Sequence, residues 1–489
     1  MTSAAYLVRI RRTLVAGSAL WLAACATAPE DAGPVLARSA QLMGADRVAT
    51  LRYVAEGMGY TFGQAFKPGG AWPKITLHSL TRSIDYGSAS MRDEVVLSRA
   101  EPLGGGGYPL SGQQRVDQFI SGEIAWNQSG ATVTPGARFV GERLHQLWIT
   151  PHGVLKAASR GGASARRGAD GGTAVSFVYA GRFSATALIG ADGLVRQVDS
   201  TVPDAVLGDT RVVTTYEDYR DVGAIKFPNR VHQSIAGFQV LDLVVKEVQA
   251  NPAVSVAVPD AARDTSERVT VEKVSDGVWF LAGGSHNSVA IEMQDHLILV
   301  EAPLGDARTQ AVIAQLKVLA PGKPIRSVVN SHSHFDHSSG LRAAVAEGAT
   351  IVTQAQNVAY FEQVLSQPNA VRPDALARAS RKPGFVPVSD KLELGDASRS
   401  VEVHRIVGGP HSDSFVMVYL PKDKLLIEAD AFTPAALNTA PPAVPNANNV
   451  NLIDNIERLK LVVERILPLH GRVVPATELY SAVGRATPR

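Results

Sequence analysis

Apolar and polar positions alternate along much of the segment from residue 51 to 248, a pattern typical of strands with one buried face. The clearest strands are predicted at 52–62, 175–179, 185–189, 211–216 and 241–248. Turn signals such as Ala191-Asp192-Gly193 separate them, and a helix is predicted before them at 35–49. Residues 35–250 are therefore predicted to form a mainly antiparallel β domain.

The pattern changes after a predicted linker at 251–265, which contains Pro252 and Pro259. Short apolar runs then predict buried strands, and a helix is predicted at 307–319 before the next apolar run at 326–330. Strand, helix and strand in this order indicate an α/β arrangement. We place this second domain at 266–489.

Candidate chemistry begins where the apolar run at 326–330 ends. Four potential metal ligands follow within six residues: His332, His334, Asp336 and His337. Residues two apart on an extended segment project to the same side, so His332 and His334 can hold one ion together. Asp336 and His337 come after the turn and can reach a second ion. Imidazole and carboxylate suit Zn²⁺, and also Fe or Mn.

Three later residues extend this set. Each follows an apolar element, as the first cluster does: His411, Asp430 and His470. The end of a strand in an α/β sheet is where ligand sites form. The plain alternative is a histidine-rich surface loop that binds no metal, and three further ligands in suitable places argue against it.

Over residues 266–489 this pattern resembles the metallo-β-lactamase superfamily. The resemblance implies an αββα sandwich and two metal positions with these ligand sets: His332, His334 and His411 for one, and Asp336, His337 and His470 for the other. It implies that Asp430 bridges the two metals. A different alignment of Ala429-Asp430-Ala431 would leave Ala431 at the site and no bridge. The family has Asp near the end of its third strand, where this chain has Glu301.

By this resemblance the chain is a dinuclear zinc hydrolase that uses a metal-bound hydroxide to cleave an ester, lactone or amide bond. Asp336 and Asp430 are its predicted catalytic residues. One alternative is a lipid- or small-molecule-binding envelope lipoprotein with a non-catalytic metallo-domain. Another is a β-lactamase or phosphoesterase, and iron-dependent oxygen chemistry is a third.

The single cysteine, Cys25, bears on the compartment. Residues 1–24 have a basic start and then a short apolar run that ends at Leu22-Ala23-Ala24, directly before Cys25. This arrangement resembles a bacterial lipoprotein signal peptide. It implies acylation of Cys25, a tether at 25–34, and a protein exported to the periplasm and anchored to the outer membrane. An ordinary secretory signal with an incidental cysteine is the alternative.

Composition narrows the predicted partners. The net charge of +2 gives no reason to expect nucleic acid. We expect a small-molecule substrate, and a membrane as partner only through the N-terminal lipid. The β-rich domain loosely resembles the curved sheets of periplasmic lipoprotein carriers. This domain either binds lipids or other apolar molecules or serves as a scaffold that positions the second domain.

Overall fold

The computed structural model describes residues 30–100 and 112–486. Cys25 and the apolar run before it, which are the basis of the lipoprotein prediction, lie outside the described residues. Within the described part, no helix combines the length and the apolar character needed to cross a membrane.

The N-terminal domain is built on one antiparallel sheet, which contains fourteen strands in the described residues. The strands are β1 (Glu30–Asp31), β2 (Thr50–Tyr60), β3 (Lys74–Asp85), β4 (Ser90–Arg99), β5 (Gln114–Ser121), β6 (Ile124–Ser129), β7 (Thr132–Pro135), β8 (Ser164–Arg167), β9 (Thr173–Tyr179), β10 (Phe183–Ile189), β11 (Val195–Asp204), β12 (Gly208–Val222), β13 (Ile225–Ile235) and β14 (Phe238–Ala250). Their order in the sheet is β1-β8-β9-β10-β11-β12-β13-β14-β2-β3-β4-β5-β6-β7. The predicted antiparallel β domain is therefore confirmed.

Three helices cover one face of this sheet: α1 (Gly33–Met43), α2 (Val140–Trp148) and α3 (Pro151–Ala158). Leu36, Leu144 and Trp148 from these helices share one apolar core with strand residues such as Leu51 and Val198. The predicted helix at 35–49 is too long, because Gly44 adopts a left-handed φ of 74° and ends α1. The sequence analysis identified no helix at α2 and α3.

The C-terminal domain contains two facing sheets, with seven and six strands in its described residues. The first consists of β15 (Thr270–Ser275), β16 (Val278–Ala282), β17 (Ser288–Glu292), β18 (Leu297–Val300), β19 (Ile325–Val329), β20 (Thr350–Gln354) and β21 (Phe385–Val388). The second consists of β22 (Lys391–Gly395), β23 (Ser400–Ile406), β24 (Phe415–Leu420), β25 (Leu425–Glu428), β26 (Arg465–Pro468) and β27 (Val474–Pro475). In both sheets, strands that are neighbours in the sheet are also consecutive along the chain, and β18 to β21 run parallel to one another.

The remaining helices are α4 (Asp260–Arg263), α5 (Asp306–Leu319), α6 (Phe335–Ser338), α7 (Leu341–Glu347), α8 (Ala355–Leu365), α9 (Ala375–Ala379), α10 (Ala447–Leu459) and α11 (Ala476–Ala482). Side chains of both sheets, such as Val300 and Val418, pack into one core between them. Helices α5, α7 and α8 cover the outer face of the first sheet, and α10 and α11 pack against the second. This arrangement confirms the predicted αββα sandwich.

The two domains make direct contacts. Asp209, in β12, accepts hydrogen bonds from the backbone N–H groups of Ala370 (2.8 Å) and Val371 (3.1 Å). In the predicted linker, Ala262 packs against Phe119 and Trp126 of the first domain. A third contact is made by residues 61–73, which connect β2 and β3. We call this segment the β2–β3 loop, and it reaches the residues around His334.

Candidate metal centre

All seven predicted ligands lie where elements of the two sheets end. His332 and His334 follow β19, while Asp336 and His337 lie in the short helix α6. His411, Asp430 and His470 follow β23, β25 and β26. After β19 the chain forms α6, breaks at Gly340 and continues as α7. Gly340 packs so closely on Thr309 that an added Cβ would lie 1.9 Å from its Oγ1.

The structure divides six of these residues into the two predicted groups. His332, His334 and His411 place ring nitrogens within 4.8 Å of one another, and the Nε2 atoms of His332 and His411 are 3.2 Å apart. Asp336, His337 and His470 form a second group of the same kind, in which the Nε2 atoms of His337 and His470 are 3.1 Å apart. The two groups are adjacent, because the rings of His332 and His337 are 4.5 Å apart.

Asp430 lies between the two groups. Its Oδ2 is 2.7 Å from His337 Nε2 and 3.5 Å from His332 Nε2. The same oxygen is 3.6 Å from His411 Nε2, and Oδ1 is 3.2 Å from His470 Nε2. Ala431, which an alternative alignment would place at the site, is buried in the sheet core instead. The carboxylate of Asp430 therefore faces histidines of both ligand groups.

The sequence analysis missed one histidine at this site. His286 is buried, and its Nε2 lies 3.2 Å from Asp336 Oδ2. Its ring centroid is 4.0 Å from that of His470. Burial lowers the pKa of His286 to about 4, so the ring is neutral at neutral pH. Its position in Gly283-Gly284-Ser285-His286, directly after β16, was the available signal.

Buried side chains fix the orientation of two ligand rings. Ser331 Oγ donates to Glu301 Oε2 at 2.7 Å and accepts from His332 Nδ1 at 2.9 Å. A further hydrogen bond of this network joins His337 Nδ1 to Glu301 Oε2 at 2.7 Å. Glu301 is fully buried. Because each Nδ1 is held from outside, the Nε2 atoms of both rings face the centre.

Backbone carbonyls fix two further rings. His470 Nδ1 donates to Ser285 O at 3.1 Å, which directs Nε2 inward. His334 is held the other way round, because its Nε2 donates to Ala65 O at 3.1 Å. Nδ1 of His334 is buried and has no hydrogen-bond partner among the described residues. An unpaired nitrogen at this position costs free energy unless a cation binds it.

These observations test whether the residues fit a metal. Three ring nitrogens, His332 Nε2, His470 Nε2 and His334 Nδ1, present lone pairs to the centre, because the opposite nitrogen of each ring donates outward. A cation beside the carboxylate of Asp430 would accept these lone pairs. The donor set is nitrogen and oxygen only, which suits Zn²⁺ and also Fe or Mn. The residues therefore fit a metal site.

Burial determines the protonation of the first group. Removal from water lowers the pKa of His334 to about 3 and holds that of His332 well below its usual value. The pKa of His411 is lowered for the same reason. These rings are neutral at neutral pH, which is the form that binds a metal.

Nearby carboxylates reverse this effect at His337. Burial alone lowers its pKa, but the charges of Asp430, Asp336 and Glu301 outweigh burial and hold the pKa well above its usual value. Burial raises the pKa of Asp430, but the charge of His337 and the hydrogen bonds from His337 and His470 outweigh it and hold that pKa well below its usual range. In the metal-free protein at neutral pH, His337 is therefore protonated and Asp430 is ionised.

Metal loading at neutral pH is therefore expected to release about one proton per chain from His337, which must be neutral to act as a ligand. Because its raised pKa keeps the proton bound through neutral pH, the affinity for Zn²⁺ should fall as the pH is lowered. Calorimetric titration of the metal-free protein in buffers of different ionisation enthalpy measures the release. Equal affinity at about pH 6 and pH 8 without proton release would contradict the prediction.

Glu301→Gln is expected to weaken zinc binding by about 10–100-fold, the usual effect of losing an outer partner of a ligand. The amide keeps the shape of the side chain but removes the charge that faces His337 Nδ1. Chelator competition measures the affinity. Glu292→Gln is the matched control, since Glu292 pairs with Lys323 away from the centre and should leave affinity unchanged. Unchanged affinity in Glu301→Gln would exclude this role.

Comparison with known proteins identifies the C-terminal domain. Residues 281–470, which lie in this domain, match the model of the metallo-beta-lactamase superfamily, the family that the sequence resemblance predicted. Among curated proteins, the 2,4-dinitroanisole O-demethylase subunit alpha of Nocardioides sp. (strain JS1661) is 24% identical over 195 residues. That match covers 38% of this chain and 54% of the relative, so the chain spans about half the length of this relative.

Solved structures are also similar. A metallo-beta-lactamase from Pontibacter korlensis aligns with 44% of this chain and 97% of its own, at 18% identity and a TM-score of 0.35. The metallo-beta-lactamase FIM-1 from Pseudomonas aeruginosa, in its mono-zinc form, aligns with 45% of this chain and 95% of its own, at 19% identity and a TM-score of 0.33.

Proposed function

We propose that this protein is a dinuclear zinc hydrolase that cleaves an ester, lactone or amide bond in a small molecule. The observation that carries the proposal is the carboxylate of Asp430, which lies within 3.6 Å of histidines from both ligand groups. A carboxylate shared in this way suits a pair of cations. When bound, two such cations supply Lewis acidity and lower the pKa of water towards about 7.

The residues of the chain have separate tasks in this proposal. Asp430 links the two ligand groups and so fixes the spacing of the two positions. Asp336 turns Oδ2 towards His286 Nε2 and His337 Nε2, at 3.2 and 3.9 Å, where it can orient a water molecule. Glu301, Ser331 and two backbone carbonyls hold the rings, so little reorganisation is needed during reaction.

A cavity between the domains favours a substrate with an apolar group. Its volume is about 200 Å³, and Trp72, Phe238 and Phe335 contribute to its wall together with Tyr360 and Val364. Ser333, in the same wall, adjoins the ligand His334. An apolar cavity of about 150 Å³ accepts a benzene ring. We propose that the substrate presents an aromatic ring or a short aliphatic chain here.

Metal content and turnover, measured on one preparation purified without chelator, test the proposal. The panel contains aryl and alkyl esters, lactones, β-lactams, phosphoesters and 2,4-dinitroanisole, the compound in the name of the curated relative. About two Zn per chain with ester, lactone or amide turnover supports the hydrolase. Turnover of phosphoesters or β-lactams alone would instead support a phosphoesterase or a β-lactamase. Bound iron in place of zinc would support iron-dependent oxygen chemistry. A protein that turns over no compound of the panel but binds lipid would support the binding lipoprotein.

Membrane anchoring through Cys25 forms a separate part of the proposal. The basic start and apolar run before this residue support export, and the sequence at Cys25 supports acylation. Cys25→Ser in the bacterial host should move the protein from the membrane fraction to the soluble periplasmic fraction. Equal distribution of the variant and the native protein would argue for an ordinary secretory signal.

A further inference from the structure

The β2–β3 loop leaves the N-terminal sheet and docks beside the metal centre. Gly63 O accepts a hydrogen bond from the backbone N–H of Phe335 at 3.1 Å, and Phe66 O accepts from that of Asp413 at 2.9 Å. Phe335 stands between two ligands in the sequence, and Asp413 follows His411 closely. The loop therefore hydrogen-bonds to the backbone next to His334 and close to His411, two ligands of the first group.

Two residues of this loop contact ligands directly. Gln64 Nε2 donates to Asp336 Oδ1 at 2.8 Å. The next residue, Ala65, accepts from His334 Nε2 through its carbonyl at 3.1 Å. Gln64 thus binds one oxygen of Asp336 and leaves Oδ2 facing the other ligands. Ala65 fixes the His334 tautomer whose Nδ1 is free to bind a metal.

Close packing fixes the position of the loop. The ring of Phe62 lies edge-on to Trp72 and to Phe335, with centroids 4.5 and 5.2 Å away. Gly63 adopts a φ of 77°, and a Cβ there would lie 2.5 Å from Cγ of Phe335. Only glycine allows this approach. The packing of Phe62 and Gly63 against Phe335 therefore fixes the backbone from which Gln64 reaches Asp336.

We infer that Gln64 is a positioning residue of the metal centre, and that the N-terminal domain completes the active site of the same chain. An amide suits this task, because its N–H orients Asp336 without competing for the cation. A carboxylate at residue 64 would put two negative charges at hydrogen-bond distance and would compete for the metal. The inference assigns the β-rich domain a direct role at the site, beyond that of a scaffold, and it rests on the proposed metal centre.

The test compares Gln64→Ala and Gln64→Glu with the native full chain. Zn²⁺ affinity is measured by chelator competition, and the visible spectrum of the Co²⁺-substituted protein reports ligand geometry. We expect Gln64→Ala to lower affinity at one of the two positions by about 10–100-fold and to change the spectrum. On a substrate that the native protein turns over, kcat should fall while KM stays constant. Gln64→Glu keeps the size of the side chain and should also change the spectrum.

Gln128→Ala is the matched control, because Gln128 lies on β6 of the same domain and its side-chain amide donates to the carbonyl of Gly130 on the surface. The metal-free melting temperature of each variant separates lost positioning from lost folding. Native affinity, spectrum and kcat in both Gln64 variants would overturn the inference. A loss of affinity that occurs only because both variants unfold would also overturn the inference. A native protein that binds no metal would instead overturn the proposed function.

Discussion

Asp430→Ala is expected to remove turnover and to reduce bound zinc from two ions per chain to one or none. The loss of affinity should exceed the about 100-fold that follows loss of an outer partner, because Asp430 itself faces both ligand groups. Without its carboxylate, the four histidines that lie within 3.6 Å of it lose the negative charge that would offset bound cations. Elemental analysis of the dialysed protein and kcat/KM on the best substrate measure both effects.

Asp454→Ala is a suitable control for this change. Asp454 pairs with Arg485 on an exposed part of α10, away from the centre, so zinc content and turnover should match those of the native protein. Two zinc ions and native turnover in Asp430→Ala would show that Asp430 is not a ligand. One zinc with native turnover would support a mononuclear enzyme instead.

Asp93→Ala is expected to lower the free energy of unfolding of the N-terminal domain by about 3–5 kcal/mol, the usual cost of breaking a buried ion pair. Arg82 on β3 and Asp93 on β4 are directly opposite in the sheet. Arg82 donates to Asp93 through Nε at 2.8 Å and Nη2 at 2.7 Å. Both residues are at most 8% exposed, so the variant leaves an unpaired guanidinium out of water.

Denaturant unfolding followed by circular dichroism measures this change. Asp199→Ala removes the partner of Arg211 in an exposed pair of the same sheet, so it should cost about 0–1 kcal/mol. The double variant Arg82→Met/Asp93→Leu removes both charges and should recover much of the lost stability. A cost below about 1 kcal/mol in Asp93→Ala would show that water reaches the pair.

The ligand cluster could be predicted from the sequence because the relevant information is local. Spacing indicated that His332 and His334 can hold one ion together, the resemblance supplied the full pairing, and the structure places Asp336 and His337 in a different group. The αββα sandwich followed from the resemblance that the same residues support. The end of α1 was harder to predict, because it depends on one left-handed glycine at Gly44.

Residues that reach the site from distant segments carried no such pattern. His286 is a single histidine in a glycine-rich turn, and its relevance appears only where it approaches Asp336. Gln64 is separated from Asp336 by 272 residues, and its loop lies in a domain assigned another role. Neither periodicity nor ligand spacing contains information on such an approach. Glu301 was noted as a departure from the family, but its bond to His337 required the structure.

The contact between the β2–β3 loop and the centre also has a consequence for the order of events during synthesis. A chain is made from its N-terminus, and domains generally fold as units in that order. Strand β14, which pairs with β2, is complete at Ala250, before any of the residues from His332 onwards exist. The β2–β3 loop can thus be formed before the histidines arrive, while His470 arrives last. Metal uptake, which needs His470, would then follow the folding of the N-terminal domain.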